Sequence, residues 1–256
     1  MKIRVLGCYG SEYPGRLTSC FMINNSLVID AGAMTSSLTL REQAKIDYIL
    51  LSHGHLDHIL DIPFLADNVI GSRKDPVEIL GTSSVIKILM SNILNNRIWP
   101  DFTRIPTANN PVLTVRTIKP RVPFTINGLQ ITAIPVNHTV PTCGFIIQEK
   151  GGPSIIYSGD TGPTSEIWIA ANKLKKLGAF FIEVSFPNRL QSRADVSKHI
   201  TPRMLDRELV KIKMGRKAPV FLYHMKPHFL SEIQKDVKAL KRPNLEILKM
   251  GKRINI

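Results

Sequence analysis

Three of the chain's seven histidines fall within six positions, in the stretch ILLSHGHLDHILDIP from Ile49 to Pro63. His53 and His55 stand two apart at the end of an apolar, strand-like run, where a turn can aim both rings at one point. The adjacent Asp57 and His58 face a second point. Imidazole and carboxylate are the donors that Zn²⁺ and related ions take, at bonds of about 2.0–2.2 Å. The array therefore points to two metal ions, against the plainer reading of a polar surface turn with Asp57 as a helix cap. Four residues cannot close such a site. Further candidates are His138 in PVNHTVP, Asp160 in YSGDTGP and His224 in VFLYHMKP, each directly after an apolar run whose strand would deliver it to a sheet edge. Singly, each is also an ordinary turn residue or a satisfied histidine. Beside an H-x-H-x-D-H motif they read as one set.

Such a set needs strands whose ends coincide. KIRVLGCYG, SCFMINNSLVIDAG and KIDYILLSH read as successive β-runs closed by Gly, Asn or Asp turns, with a short helix around TSSLTLREQA. PVEILGTSSVIKILMSNILNN places Val85, Ile88, Leu89, Asn92 and Ile93 at helical spacing. LTVRTI, LQITAIPVN, CGFIIQEK and PSIIYSGD are strand-like and separated by Pro and Gly. After them come a helix in TSEIWIAANKLKKLG, a strand in AFFIEVSF, a helix in TPRMLDRELVKIKMG, a strand in APVFLYHM and a charged helix in LSEIQKDVKALK. This order predicts an α/β chain: two sheets packed together with helices outside, built twice over in sequence.

Composition narrows the setting. With 256 residues and 43% hydrophobic content the chain can bury a sizeable core. No window approaches the roughly 18–20 uncharged apolar residues of a membrane span, and Met1 leads straight into strand-like sequence. The expectation is a soluble, cytoplasmic protein with no membrane partner. Cys8, Cys20 and Cys143 are scattered and lack C-x-x-C spacing, so they read as buried free thiols. The net charge of +14 is uneven: residues 171–256 hold 20 of the 34 Lys and Arg but 7 of the 20 Asp and Glu. A basic third suits a phosphate-bearing ligand or a nucleic acid, and equally a solvated surface.

The motifs resemble those of the metallo-β-lactamase superfamily along nearly the whole chain. VLGCYGSEYPG and LVIDAG look like its first motif, SHGHLDH its second, NHT its third, GDT its fourth and YHMKP its fifth. The resemblance implies a metallo-β-lactamase-like αββα four-layer sandwich, with residues 1–256 forming a single domain. It implies that His53, His55 and His138 hold one metal, that Asp57, His58 and His224 hold the other, and that Asp160 bridges them. Asp30 would orient a ligand from behind. The cofactor implied is two divalent ions, zinc first, with manganese and iron as alternatives.

Within that superfamily, HLDH, the run NILNNRIWPDFTRI, YSGDTGPT and HMKP are similar to the class II cyclic nucleotide phosphodiesterases, although Asp61 stands where they more commonly carry a glycine or small residue. In IEVSFPNRLQSRADVSKHIT, Glu183 and His199 are spaced like the proton-transfer pair of the tRNA 3′-processing endonucleases, whose histidine before that glutamate is here Ile182. The resemblance implies metal-dependent hydrolysis of 3′,5′-cyclic nucleotides, cAMP first and cGMP as an alternative, to 5′-monophosphates by a hydroxide held on the two ions. Catalytic candidates are Asp57, His199 as proton donor and Glu183 as its orienter, with Asn137 and Trp99 as substrate contacts. The runner-up is an RNA-processing endonuclease of the same superfamily, and a non-catalytic nucleotide- or nucleic-acid-binding protein stands behind it. A nucleic-acid partner and a homodimer stay open.

Overall fold

The computed structural model describes residues 1–213 and 217–256, which divide into two compact units. Unit 1 comprises residues 1–8, 14–119 and 249–255; unit 2 comprises 9–13, 120–248 and 256. Two chain segments thus depart from a simple halving of the sequence.

Among the described residues, unit 1 carries a seven-stranded sheet of β1 (Lys2–Gly7), β2 (Cys20–Ile23), β3 (Leu27–Ile29), β4 (Tyr48–Leu50), β5 (Val77–Gly81), β8 (Leu113–Thr117) and β16 (Arg253–Asn255). Its order is β16-β1-β2-β3-β4-β5-β8, and β6 (Pro106–Thr107) with β7 (Asn110–Pro111) makes a small separate hairpin. The C-terminal β16 returns to pair antiparallel with β1. From β3 onward the strands run parallel, and residues such as Ile49 and Leu50 on neighbouring faces are both fully buried. That double burial is why β4 reads as a continuous apolar run.

The helices of unit 1 are α1 (Met34–Ser37), α2 (Leu40–Gln43), α3 (Leu56–Ile59), α4 (Ile62–Val69) and α5 (Ser83–Asn92). The helix expected around TSSLTLREQA is two short ones, because Thr39 starts α2 with a reciprocal capping box to Glu42. The segment with helical spacing from Val85 is preceded by strand β5, so helix begins only after Gly81. In α4, Ile62, Leu65, Ala66 and Val69 recur at helical spacing and enter a core with Val28, Ile49, Ile79 and Leu89.

Unit 2 carries the second sheet: β9 (Phe124–Ile126), β10 (Leu129–Pro135), β11 (Cys143–Glu149), β12 (Ser154–Tyr157), β13 (Leu177–Glu183), β14 (Val220–Tyr223) and β15 (Leu245–Ile247), in the order β15-β14-β13-β12-β11-β10-β9. β9 to β12 are antiparallel, and β12 to β15 parallel. Its helices are α6 (Glu166–Ala171), α7 (Gln191–Ser197), α8 (Pro202–Leu209) and α9 (Leu230–Ala239). α6 stops well short of the expected Gly178, since Leu177 already belongs to β13. α8 starts where Thr201 accepts the Met204 N–H and Pro202 fills the first turn. The end expected for that helix, at Met214 and Gly215, lies outside the described residues. Met204, Leu205 and Leu209 of α8 pack with Ile156, Phe180, Ile182 and Leu222 in the core of this unit.

Each unit therefore couples one large sheet to its own helices, as expected for the metallo-β-lactamase-like α/β fold. No helix of the described residues is long and apolar enough to cross a membrane.

Candidate active site

In unit 1 the register of the parallel strands does the gathering. Ile29 of β3 pairs with Leu50 of β4, so Asp30 and the segment from Leu51 onward emerge side by side beyond the same sheet edge. Ligand sites in parallel sheets lie at such carboxyl ends. Asp30 is fully buried and holds a left-handed backbone at φ 54°. Its Oδ1 accepts the Ser52 N–H (2.8 Å), and its Oδ2 accepts both the Ser52 hydroxyl (2.8 Å) and the His58 Nδ1–H (2.8 Å). Since Ser52 spends its proton on Asp30, its oxygen accepts Nδ1–H from His53 at 2.9 Å. Both histidines are thereby fixed with the lone pair on Nε2. His55 precedes α3, while Asp57 and His58 lie in it, with Asp57 Oδ2 3.8 Å from His58 Nε2. Gly32 allows this turn to approach: a Cβ there would stand 2.3 Å from the Asp57 carbonyl oxygen.

Asp61, which departs from the phosphodiesterase pattern, is buried, and its Oδ2 accepts the Thr35 N–H of α1 at 2.6 Å. It braces α1 from inside the unit. Trp99 packs edge-on against Phe64 (5.3 Å between centroids) and against the unit 1 core.

Unit 2 repeats the scheme. His138 follows β10, Asp160 follows β12, Glu183 ends β13 and His224 directly follows β14; the last three strands are parallel neighbours. His138 donates Nδ1–H to the Lys198 carbonyl (3.0 Å), which the left-handed cap at Lys198 (φ 50°) turns toward it. His224 also sits at positive φ, 65°. Strained backbone at non-glycine residues concentrates at functional sites. Asn137 exposes its side chain but donates it to the Pro163 carbonyl (3.0 Å), tying the loop after Asp160 to the end of β10.

Glu183 is the hub. Its Oε1 accepts the Thr161 N–H (3.1 Å) and lies 2.7 Å from His199 Nδ1, and its Oε2 accepts the Ser185 hydroxyl (2.8 Å). Ser185 in turn accepts Nδ1–H from His224 at 2.9 Å. His199 stacks on His224 at 5.3 Å and meets His138 edge-on at 5.0 Å. Burial opposes charge on His199, yet the Glu183 carboxylate outweighs it and raises the imidazole above its ordinary value; at His138 burial prevails and lowers it. The signal for Ser185, a lone serine in IEVSF, carried no spacing by which the sequence could single it out. Gly10 is equally silent: a Cβ there would lie 2.7 Å from His224 Nδ1, so the first motif supplies the gap against which that ring rests.

These donors fit divalent ions. His53 Nε2 lies 3.1 Å from His55 Nδ1, close to the about 3.3–3.4 Å that two tetrahedral ligands with bonds of 2.0–2.1 Å span. His224 Nε2, its lone pair set by Ser185, faces Asp160 Oδ2 at 3.1 Å, an approach of two electron-rich atoms that a cation or proton must relieve. His138 and Asp160 also present ligand atoms within 4.8 Å of each other. Glu183, His199 and His224 meet the same distance. Their proximity is already explained by the Ser185 and Glu183 hydrogen bonds, which occupy the Nδ1 atoms.

A family model described as a beta-lactamase superfamily domain matches residues 25–225. The chain belongs to the beta-lactamase superfamily. Among curated relatives of this superfamily chain, a probable 3′,5′-cyclic-nucleotide phosphodiesterase of Yersinia pestis is 26% identical, over 89% of this chain and 79% of the relative. Unliganded yeast PDE1 superposes with a TM-score of 0.82 at 16% identity, covering 98% of both chains. The short form of human tRNase Z gives 0.73 at 19%, covering 100% of this chain and 99% of the other. At such identities the two structures show the fold alone, the metallo-β-lactamase-like fold of a hydrolase superfamily.

Proposed function

We propose that the chain hydrolyses 3′,5′-cyclic nucleotides to nucleoside 5′-monophosphates, with two divalent ions as cofactor. In this reading His53, His55 and His138 would hold one ion and Asp57, His58 and His224 the other, with Asp160 as the ligand they would share. Divalent ions at such a centre supply Lewis acidity and an activated water nucleophile at neutral pH. The observation that carries the reading is the buried Glu183–His199 pair at 2.7 Å, stacked on His224. A phosphodiester leaving group departs as an alkoxide and needs a proton. Glu183 holds the Nδ1–H of His199, which leaves Nε2 to deliver that proton to the 3′ oxygen, a role worth about 10²- to 10⁴-fold in rate. Asp30 and Ser52 keep His53 and His58 in the ligand tautomer, and Ser185 does the same for His224. The likeness to the Yersinia pestis phosphodiesterase across most of the chain supports the same substrate class.

One observation favours the second reading, an RNA-processing endonuclease: the basic C-terminal third, including Lys235, Lys238 and Lys241, which are exposed on and just after α9. Salt separates the two. A cyclic nucleotide carries one charge, so kcat/KM for cAMP should fall gently between low and physiological salt, and neutralising those three lysines together should change it little. RNA engages many phosphates, and its affinity should drop by orders of magnitude over the same range. The experiment is a screen of the purified, metal-loaded chain against cyclic nucleotides, linear phosphodiesters and a precursor tRNA. Steeply salt-dependent tRNA cleavage with negligible cyclic nucleotide turnover reverses the choice.

A further inference from the structure

Unit 2 contains a groove of about 330 Å³ that none of the roles above uses. It is lined by Tyr13, Phe186, Arg193, Lys226, His228 and Phe229, among others, and its volume lies at the small end of the range for small-molecule sites, about 300–1,000 Å³.

A run of rings connects it to the catalytic pair. Phe186 lies edge-on to His199 (5.9 Å), Phe229 tilts against Phe186 (6.3 Å), and His228 meets Phe229 edge-on (4.8 Å). This wall is held from behind, since the Arg189 guanidinium sits 5.6 Å over the Phe229 ring and is itself fixed by two bonds to Glu232, at 2.6 and 3.0 Å. Across the groove, the segment carrying Tyr13 is anchored to the residues just after His224. Gly10 donates its N–H to the Met225 carbonyl (3.1 Å) and accepts from Lys226 Nζ. Tyr13 is nonetheless 64% exposed, an aromatic face offered to solvent at the groove's edge. Lys226 and Arg193 outweigh the single carboxylate there, Glu12. Aromatic faces combined with excess positive charge suit a ligand that is planar and aromatic at one part and anionic at another.

We propose that this groove is the nucleoside subsite: it takes the base of a nucleotide on Tyr13 and the Phe186–Phe229 wall, with Lys226 and Arg193 toward its phosphate. The assignment rests on the phosphodiesterase reading for the chemistry at His199, but its test does not depend on turnover. Calorimetry on the purified full chain would compare 5′-AMP with ribose 5-phosphate, which lacks the base. The base should improve affinity about tenfold or more, the order that stacking on an aromatic side chain contributes. In Tyr13→Ala that advantage should fall below about threefold, in Tyr13→Phe it should persist, and in Val196→Ala, a change at an exposed position of α7, it should be unaltered. An advantage that is absent in the unmodified chain, or that survives in Tyr13→Ala, overturns the proposal. Hydrolysis of cAMP is measured separately: no turnover together with a Tyr13-dependent base preference removes the reaction and keeps the groove, whereas turnover without that preference does the reverse.

Discussion

Ser185→Ala tests whether the hydrogen-bond relay in unit 2 does what its geometry says. The serine is fully buried, and its oxygen gives a proton to Glu183 Oε2 at 2.8 Å while taking one from His224 Nδ1 at 2.9 Å. Alanine removes both bonds and admits no water in their place. Leaving a buried group unsatisfied costs about 1–3 kcal/mol each, so the metal-free chain should lose roughly 2–6 kcal/mol. At about 2–4 °C per kcal/mol for a chain of this size, Tm should drop by roughly 4–24 °C. A second effect is separate. Without an acceptor on Nδ1, the His224 ring is free to shift tautomer, and loss of such an outer partner typically weakens metal affinity by about 10–100-fold. The assay is thermal unfolding of the metal-free protein together with zinc titration against a competing chelator. Unchanged zinc affinity and unchanged Tm would refute the relay; a lower Tm with full affinity would leave Ser185 as a packing residue only.

For His199→Ala, kcat on cAMP should fall by about 100-fold or more with metal content retained, and by much less on a p-nitrophenyl phosphodiester whose leaving group needs little protonation. Equal losses on both substrates would remove the acid assignment. Burial pushes the Cys8 thiol to about 12 and Cys143 to about 11, and raises Cys20 well above its ordinary value, so iodoacetamide at pH 8 should label none of them until the chain is unfolded. The Thr39 N–H, followed by the Arg4 guanidinium, lowers the Glu42 carboxyl to about 2 from 4.5. Its stabilising contribution is therefore present above about pH 4.5 and lost as pH falls toward 2, modest because the group is largely solvated. The stability difference between the unmodified chain and Glu42→Gln should shrink over that window in urea titrations.

Much of the site was legible because its chemistry is written where strands end. An apolar run predicts a strand, and the first polar residue beyond it is where a parallel sheet presents a side chain. Asp30 and His224 are the first polar residues after β3 and β14, and His53 and Asp160 follow β4 and β12 one polar residue later, behind Ser52 and Ser158. What stayed hidden was long-range or unpatterned. Nothing in KRINI marks β16 as the partner of β1, since pairing across the whole chain leaves no local trace. Helices α3 and α4 run on from the histidine motif through ILDIPFLADNV almost without a break, so no turn signal sets them off in the sequence. The role of Asp61 is likewise long-range, since its partner is the Thr35 N–H 26 residues upstream.

The hidden residues also account for why the legible ones are arranged as they are. In each unit a buried carboxylate takes a serine hydroxyl, and that serine takes Nδ1–H from a histidine: Asp30, Ser52 and His53 in unit 1, Glu183, Ser185 and His224 in unit 2. In each unit the same carboxylate reaches a second imidazole directly, His58 at 2.8 Å and His199 at 2.7 Å. The wiring is matched, but the outcome differs. His58 Nε2 lies 3.8 Å from the Asp57 carboxylate, whereas the His199 ring lies edge-on to Phe186, which lines the groove. On the proposed reading one carboxylate orients two metal ligands, and the other orients a ligand and an acid. Removing the negative charge by Asp30→Asn should weaken metal binding with little change in leaving-group dependence, while Glu183→Gln should alter leaving-group dependence as well. Identical kinetic signatures from the two substitutions would show that the second relay serves the metals alone and would return the proton donor to the list of unknown groups.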